Sequence, residues 1–279
     1  MIYLKSTEFF ARSDLPITTE LRAPQDSFPE HAHAFEELMV VSGGSGTHVI
    51  NDVPMNLSKN FICFVNRNDR HLFENVDNLH LSNVLFDPAK LSVDSAIKKY
   101  IPTRQSEESS GWFINDSCSQ HVNQIIARLD SESHSNTAES KIICQSLFNL
   151  LLVELSRGRV KDISQGSDEE KVISLLAYLH SHYAESNTLE ELAYKAKISP
   201  KLLTKNLKIL TGMSYNRCLN YIRLSKSLEA LRYSEKSITE IAYDVGYHDS
   251  NYFSTKFKQL FNTTPRDVRL GVSVILTSQ

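Results

Sequence analysis

The stretch Glu30-His31-Ala32-His33-Ala34-Phe35-Glu36-Glu37-Leu38 sets two histidines just before a pair of glutamates. Read as one strand, the odd positions His31, His33, Phe35, Glu37, Met39 and Val41 share a face, because successive side chains alternate. With His71 further along the chain, that face offers imidazole nitrogens and a carboxylate oxygen. Such donors suit Fe, Mn, Ni or Zn. They equally suit the hydroxyls of a polar small molecule. For one histidine taken alone, a solvated place near a strand start is as good a reading as either role; for the whole set it is a poorer one.

The elements that must position these residues are short β-branched and aromatic runs. From Thr18 to about Phe86 they are punctuated by turn signals, with Gly43-Gly44-Ser45-Gly46 and Asn51-Asp52 read as hairpin turns. This pattern predicts an antiparallel β-barrel or sandwich. After about Ser117 the period changes. Val122, Ile125, Ile126 and Leu129 fall at helical spacing, as do Ile143, Leu147, Leu150, Leu151 and Leu155, which predicts two antiparallel amphipathic helices. Such a pair would close the barrel or meet another subunit. The polar stretch that follows reads as a linker, and from Glu170 to about Arg269 everything reads as helix with short turns. The boundaries expected are 1–155 for an effector-binding and dimerisation domain, 156–169 for the linker and 170–272 for a helical domain.

A chain of 279 residues with 41% hydrophobic and 23% charged residues suits two soluble domains. Its start lacks a basic segment followed by an apolar one, and no apolar run reaches the roughly 20 residues of a membrane helix. A cytoplasmic location without membrane contact is expected. Cys63, Cys118, Cys144 and Cys218 are widely spaced, which points to reduced, buried thiols. The net charge of −3 is unevenly divided: residues 1–169 hold 15 Lys+Arg against 23 Asp+Glu, and residues 170–279 hold 15 against 10. The basic half is the candidate for meeting a polyanion.

That half carries an internal repeat. Thr188-Leu189-Glu190-Glu191 and Ser237-Ile238-Thr239-Glu240 are capping boxes, each opening a short helix. Each is followed by a turn and a second capped helix, begun at Ser199-Pro200 and at Asp249. The two helix-turn-helix units are bridged by a long helix from Ser214 to about Tyr233. In the second helices Leu203, Leu207 and Leu210, then Phe253, Phe257 and Leu260, face one way. Outward remain Lys201, Thr204, Lys205 and Lys208, then Ser250, Asn251, Ser254, Thr255 and Lys258. These are short hydrogen-bonding or cationic side chains, the kind that read base edges and grip phosphates in a major groove. A solvated helix face accounts for any one of them and poorly for the paired set.

IAYDVGYHDSNYFSTKFKQLFNTTPRDVR resembles the C-terminal signature of the AraC/XylS family of transcription regulators, through Ile241, Ala242, Gly246, Tyr247, Phe253, Ser254, Phe257, Lys258, Pro265 and Arg269. Asn262 stands where that family usually has Gly, and Val268 where an aromatic is common. Asn tolerates positive φ, so the turn should survive. Lys197 occupies a turn position often held by Gly, at a cost of about 1 kcal/mol if a left-handed backbone is needed there. In the front half, FPEHAHAFEELMVV and ICFVNRNDRHLFENVDNLHLSNVLF look like the rhamnose-responsive members of the family. The resemblance implies an α+β protein: an N-terminal cupin-like antiparallel β-barrel with a helical pair, then an all-α double helix-turn-helix domain. It also implies a homodimeric activator that binds double-stranded promoter DNA, takes L-rhamnose as effector and meets the polymerase σ subunit.

His31, His33, Glu37 and His71 also match the ligand spacing of metal-binding cupins, which makes a cupin metalloenzyme with a DNA-binding tail a rival reading. Three observations weigh against it. Asn66-Arg67-Asn68 stands where metal cupins carry Pro-x-Gly; an enzyme has no evident need of two helix-turn-helix units; and in sugar-responsive regulators of this family the barrel binds an effector. No catalytic residue or cofactor is therefore expected, the pocket is read as metal-free or metal-indifferent, and His31, His33, Glu37 and His71 are assigned to effector binding. Another sugar or a small acid remains an alternative effector. Glu240 and Asp249 read first as helix caps; as an exposed acidic pair they are also candidates for the polymerase contact.

Overall fold

A computed structural model of the chain describes residues 2–12, 14–92, 95–103, 111–135, 137–160 and 167–272. It divides into two compact units, Met1–Gly46 with Leu57–Val160, and Thr47–Asn56 with Lys161–Gln279. The front half contains β1 (Ile2–Leu4), α1 (Ser6–Phe9), β2 (Ile17–Gln25), β3 (Phe28–His33), β4 (Glu36–Ile50), β5 (Val53–Ser58), β6 (Phe61–Val65), β7 (His71–Phe86), α2 (Ser95–Lys98), β8 (Trp112–Phe113), α3 (Asp116–Ser133) and α4 (Ser140–Arg157). The strands form one eight-stranded sheet in the order β1-β3-β7-β4-β6-β8, with β2 on β7 and β5 on β4. β2 and β3 run antiparallel to β7, and β6 runs antiparallel to β4 and β8, whereas β1 runs parallel to β3.

Alternation along the strands sorts side chains between two faces. Ile17, Leu38, Val40, Ile62, Phe64, Val84 and Phe86 pack with Val122, Ile126 and Leu129 of α3 and Phe148, Leu151, Leu152 and Leu155 of α4. Each such side chain, fully buried, contributes roughly 1.5–3 kcal/mol. The helical pair therefore covers one face of the sheet. The intervening residues, Glu37 on β4 and His71, Phe73, Asn83 and Leu85 on β7, turn to the other face and line a cavity.

Three local expectations are corrected. EHAHAFEEL is two strands, not one, since β3 ends at His33 and β4 begins at Glu36. β3 lies between β1 and β7, whereas the first residues of β4 pair with β6, Glu37 opposite Val65, and β7 is the neighbour the two strands share. The Phe35 ring anchors that corner against Phe9 and Phe10, at 5.3 and 5.9 Å between centroids. Gly43 to Gly46 is not a hairpin turn but the middle of β4. Gly44 has φ +71°, and a Cβ there would overlap the Asn78 carbonyl, so the glycine serves a close approach of backbones inside the sheet. The Asn51-Asp52 turn forms, with φ of 48° and 64°. Finally, the buried face of α4 is Cys144, Phe148, Leu151, Leu152 and Leu155; Leu150 is 47% exposed.

α4 continues to Arg157, and Arg159 bridges Ile114. Residues 161–166 of the expected linker lie outside the described residues. The tail is wholly helical: α5 (Asp168–Ser181), α6 (Leu189–Lys195), α7 (Pro200–Thr211), α8 (Tyr215–Tyr233), α9 (Ile238–Asp244), α10 (Ser250–Phe261) and α11 (Pro265–Arg269). Leu224, Leu228 and Leu231 of α8 pack with Ile241, Ala242, Phe253, Phe257, Phe261 and Val268. The fully buried aromatic at the end of α10 is Phe261, while Leu260 is only partly covered. Among the described residues no helix is long and apolar enough to cross a membrane. All four cysteines are buried thiols outside any disulfide.

Candidate functional site

The cavity, of about 240 Å³, opens on the sheet face opposite the helical pair. β3 brings His31 and His33 to it, the first residues of β4 bring Glu37, and β7 brings His71, which sits opposite His31 in the ladder. All four side chains are buried, and the three strands bring the predicted set together. His33 Nδ1 lies 2.7 Å from the Phe35 carbonyl and His31 Nδ1 3.0 Å from the Pro29 carbonyl. A carbonyl only accepts, so each Nδ1 is the protonated donor. The His33 ring stacks on Phe35, 4.5 Å between centroids, and the His31 ring lies 3.9 Å from that of His71.

With Nδ1 so engaged, His33 turns Nε2 to Glu37 Oε2 at 3.1 Å, and His71 Nε2 lies 3.8 Å from the same oxygen. Burial depresses the His33 pKa, but the Glu37 carboxylate and the Phe35 carbonyl outweigh it and hold it above the ordinary histidine value. His31 is pushed below its ordinary value, chiefly by burial. Ligand atoms of His33, Glu37 and His71 lie within 4.8 Å of one another, and this trio is able to hold a metal ion.

Sequence reasoning missed the rest of the cavity lining. Glu20 and Arg22 on β2, paired to each other at 3.0 Å, and Asn83 on β7 reach the same cavity, as do Phe28 and Phe73. Asn83 pairs with Glu20 in the ladder, and its buried Oδ1 has no hydrogen-bond partner among the described residues. Period-two alternation of Glu20 and Arg22 was a usable signal. Nothing local distinguishes Asn83 from an ordinary exposed strand residue. The cavity thus joins donors, acceptors and aromatic faces in one wall set, which is what holds a small polar ligand by its edges and its C–H surfaces.

The second candidate surface lies in the tail. Thr188 and Ser237 cap α6 and α9 as boxes with Glu191 and Glu240, while Ser199 and Asp249 cap α7 and α10. α7 and α10 end alike on left-handed residues, Gly212 and Asn262. Between the helices of each unit, Lys197 has φ 53° and Gly246 has φ 89°. A Cβ at Gly246 would stand 2.6 Å from the Ala184 carbonyl, so close approach as well as φ demands glycine there. With the apolar sides of α7 and α10 turned inward, Lys201, Thr204, Lys205 and Lys208 are exposed on α7, and Asn251, Thr255 and Lys258 on α10. Ser250 and Ser254 are half-buried. Thr204, Ser254 and Thr255 donate to carbonyls four residues back, which leaves their oxygens able to accept. Glu240 Oε2 accepts from the Ser237 N–H, and Asp249 Oδ1 from Tyr252, so both acidic residues are caps. Hydrogen bonds from Ser237 hold the Glu240 carboxyl below its ordinary pKa.

Two repeated helix-turn-helix units in one chain with a sheet-built ligand cavity define a ligand-responsive DNA-binding regulator. Residues 17–148 match the AraC-like ligand binding domain and residues 192–271 a helix-turn-helix domain. Over 278 residues the chain is 37% identical to the HTH-type transcriptional activator RhaS of Citrobacter koseri, which covers 99% of this chain and 100% of that protein. It is 38% identical, with the same coverage, to RhaS of Salmonella schwarzengrund. ToxT of Vibrio cholerae O395 is similar at 14% identity and a TM-score of 0.35, over 93% of this chain and 98% of that one. The chain belongs to the AraC family of transcriptional activators. It is a helix-turn-helix activator and not an enzyme.

Proposed function

We propose that this activator is a cytoplasmic homodimer whose cavity binds a small sugar, L-rhamnose, and whose tail carries that signal to promoter DNA. The observation that carries the reading is the cavity itself. His31, His33, Glu37 and His71 line it together with Asn83 and Arg22, and Phe28 and Phe73 add apolar surface. A sugar ring offers hydroxyls at its rim and C–H groups on its faces, and these walls complement both. The similarity to RhaS activators over the whole chain supports the same effector. Lys201, Thr204 and Lys205 read one major groove, and Ser250, Asn251, Ser254 and Thr255 the next; Lys208 and Lys258 hold phosphates. Glu240 and Asp249 meet a basic surface of the polymerase σ subunit. Two chains supply the reading heads for a repeated half-site, and the effector works by its different affinity for two arrangements of the regulator.

Calorimetric titration of L-rhamnose into the full-length protein tests the reading. Saturable binding is expected, weakened roughly 2- to 10-fold in Asn83→Ala by loss of one hydrogen bond. No heat with L-rhamnose, or binding indifferent to Asn83, contradicts it. Sedimentation of the purified chain checks the dimer.

A further inference from the structure

We propose that His33, Glu37 and His71 hold a divalent first-row transition-metal ion, with its remaining coordination positions open to the cavity. His33 Nδ1 donates to the Phe35 carbonyl at 2.7 Å, so the neutral ring carries a lone pair on Nε2. That lone pair faces Glu37 Oε2 at 3.1 Å, and a carboxylate oxygen is also an acceptor. Two acceptors so close inside a buried wall need a cation between them. A proton would satisfy the His33–Glu37 contact alone. It would not account for the second imidazole, His71, which brings Nε2 to 3.8 Å from the same oxygen, beyond hydrogen-bond reach.

A metal accounts for all three. Nitrogen and oxygen ligands at about 2.0–2.2 Å from an ion stand about 3–3.5 Å from each other; the 3.1 Å His33–Glu37 separation falls in that range, and the 3.8 Å His71–Glu37 separation needs a small inward shift of the His71 ring. The donor set, two imidazoles and a carboxylate, is chosen by zinc and iron rather than by calcium or magnesium. The Phe35 carbonyl does for His33 what outer partners do for metal-bound histidines in general: it fixes the tautomer and the ring plane. His31, held by the Pro29 carbonyl and lying against the His71 ring, positions His71 from the side. All three ligands line the cavity, so a bound ion presents its open positions to whatever enters. On the sugar-pocket reading, two neighbouring hydroxyls would take those positions; the ion itself does not depend on that reading.

The test uses untagged full-length protein, stripped with chelator, loaded with Zn²⁺ or Co²⁺ and desalted. Mass spectrometry should find about one ion per chain, and the cobalt form should show visible absorption bands of a low-coordinate nitrogen and oxygen site. His33→Gln and Glu37→Gln, each checked for folding by circular dichroism, should lose both the ion and the bands. Retention of no ion by the wild type, or equal retention by wild type and both variants, overturns the proposal. The measurement contains no sugar. A separate L-rhamnose titration of the stripped protein reports on the effector, so the two readings fail independently.

Discussion

His180 shows how one half-buried residue ties the stability of the tail to pH. Burial, with the Lys226 ammonium adding, pushes its pKa down to about 3, although part of the residue reaches solvent. Its folded pKa lies below its unfolded value, so the unfolded chain binds the extra proton between those limits. The stabilisation is therefore complete above about pH 6.5 and is lost as pH falls toward 3, at no more than roughly 1 kcal/mol per pH unit given the partial exposure. Thermal unfolding followed between pH 7 and 5 should show this slope, and His180→Phe should flatten it. Lys205 makes a different kind of statement, since it is exposed and serves no packing role. Lys205→Ala should weaken specific promoter binding by about 1–3 kcal/mol in gel-shift titrations, with an unchanged melting temperature. Unchanged affinity would remove Lys205 from the reading surface.

At the scale of elements, the two helix-turn-helix units are the same device with one flaw. Lys197 holds the left-handed turn that Gly246 holds in the second unit. Lys197→Gly should raise the unfolding free energy of the tail by up to about 1 kcal/mol, the relief of αL strain less the entropy of the added glycine. Denaturant titration measures it, and a loss of stability would show that Lys197 contributes a contact worth more than its strain. This unit was legible in the sequence because its signals are local: caps at Thr188, Ser199, Ser237 and Asp249, and apolar spacing of three and four. The cavity was legible only in part. His31, His33, Glu37 and His71 announce themselves by type, whereas Asn83 and Arg22 gain meaning only from strands that are far apart in sequence and adjacent in the sheet. The Gly43–Gly46 run misled because glycine serves close backbone approach as readily as chain reversal. The face of α4 was misplaced because an almost wholly apolar helix has a weak period: Leu150 and Leu151 are both leucine, and only packing tells which one is buried.

At the scale of the molecule, the proposed polymerase contact makes DNA occupancy and activation separable. Glu240 and Asp249 are caps first, so alanine at either would damage its helix as well as remove its charge. Glu240→Gln and Asp249→Asn keep the capping chemistry and delete the charge. Both should lower transcription while promoter occupancy in footprinting stays at the wild-type level; an equal fall in both would assign these residues to folding or DNA binding alone. Within the AraC family this chain joins a basic, double-headed tail to an acidic front half with a polar cavity, and on the proposed function a sugar in that cavity controls what the tail does. Run-off transcription from the cognate promoter, with purified polymerase and protein at fixed concentration, measures that directly. The account predicts several-fold more transcript on addition of L-rhamnose; the same transcript level with and without the sugar would contradict it.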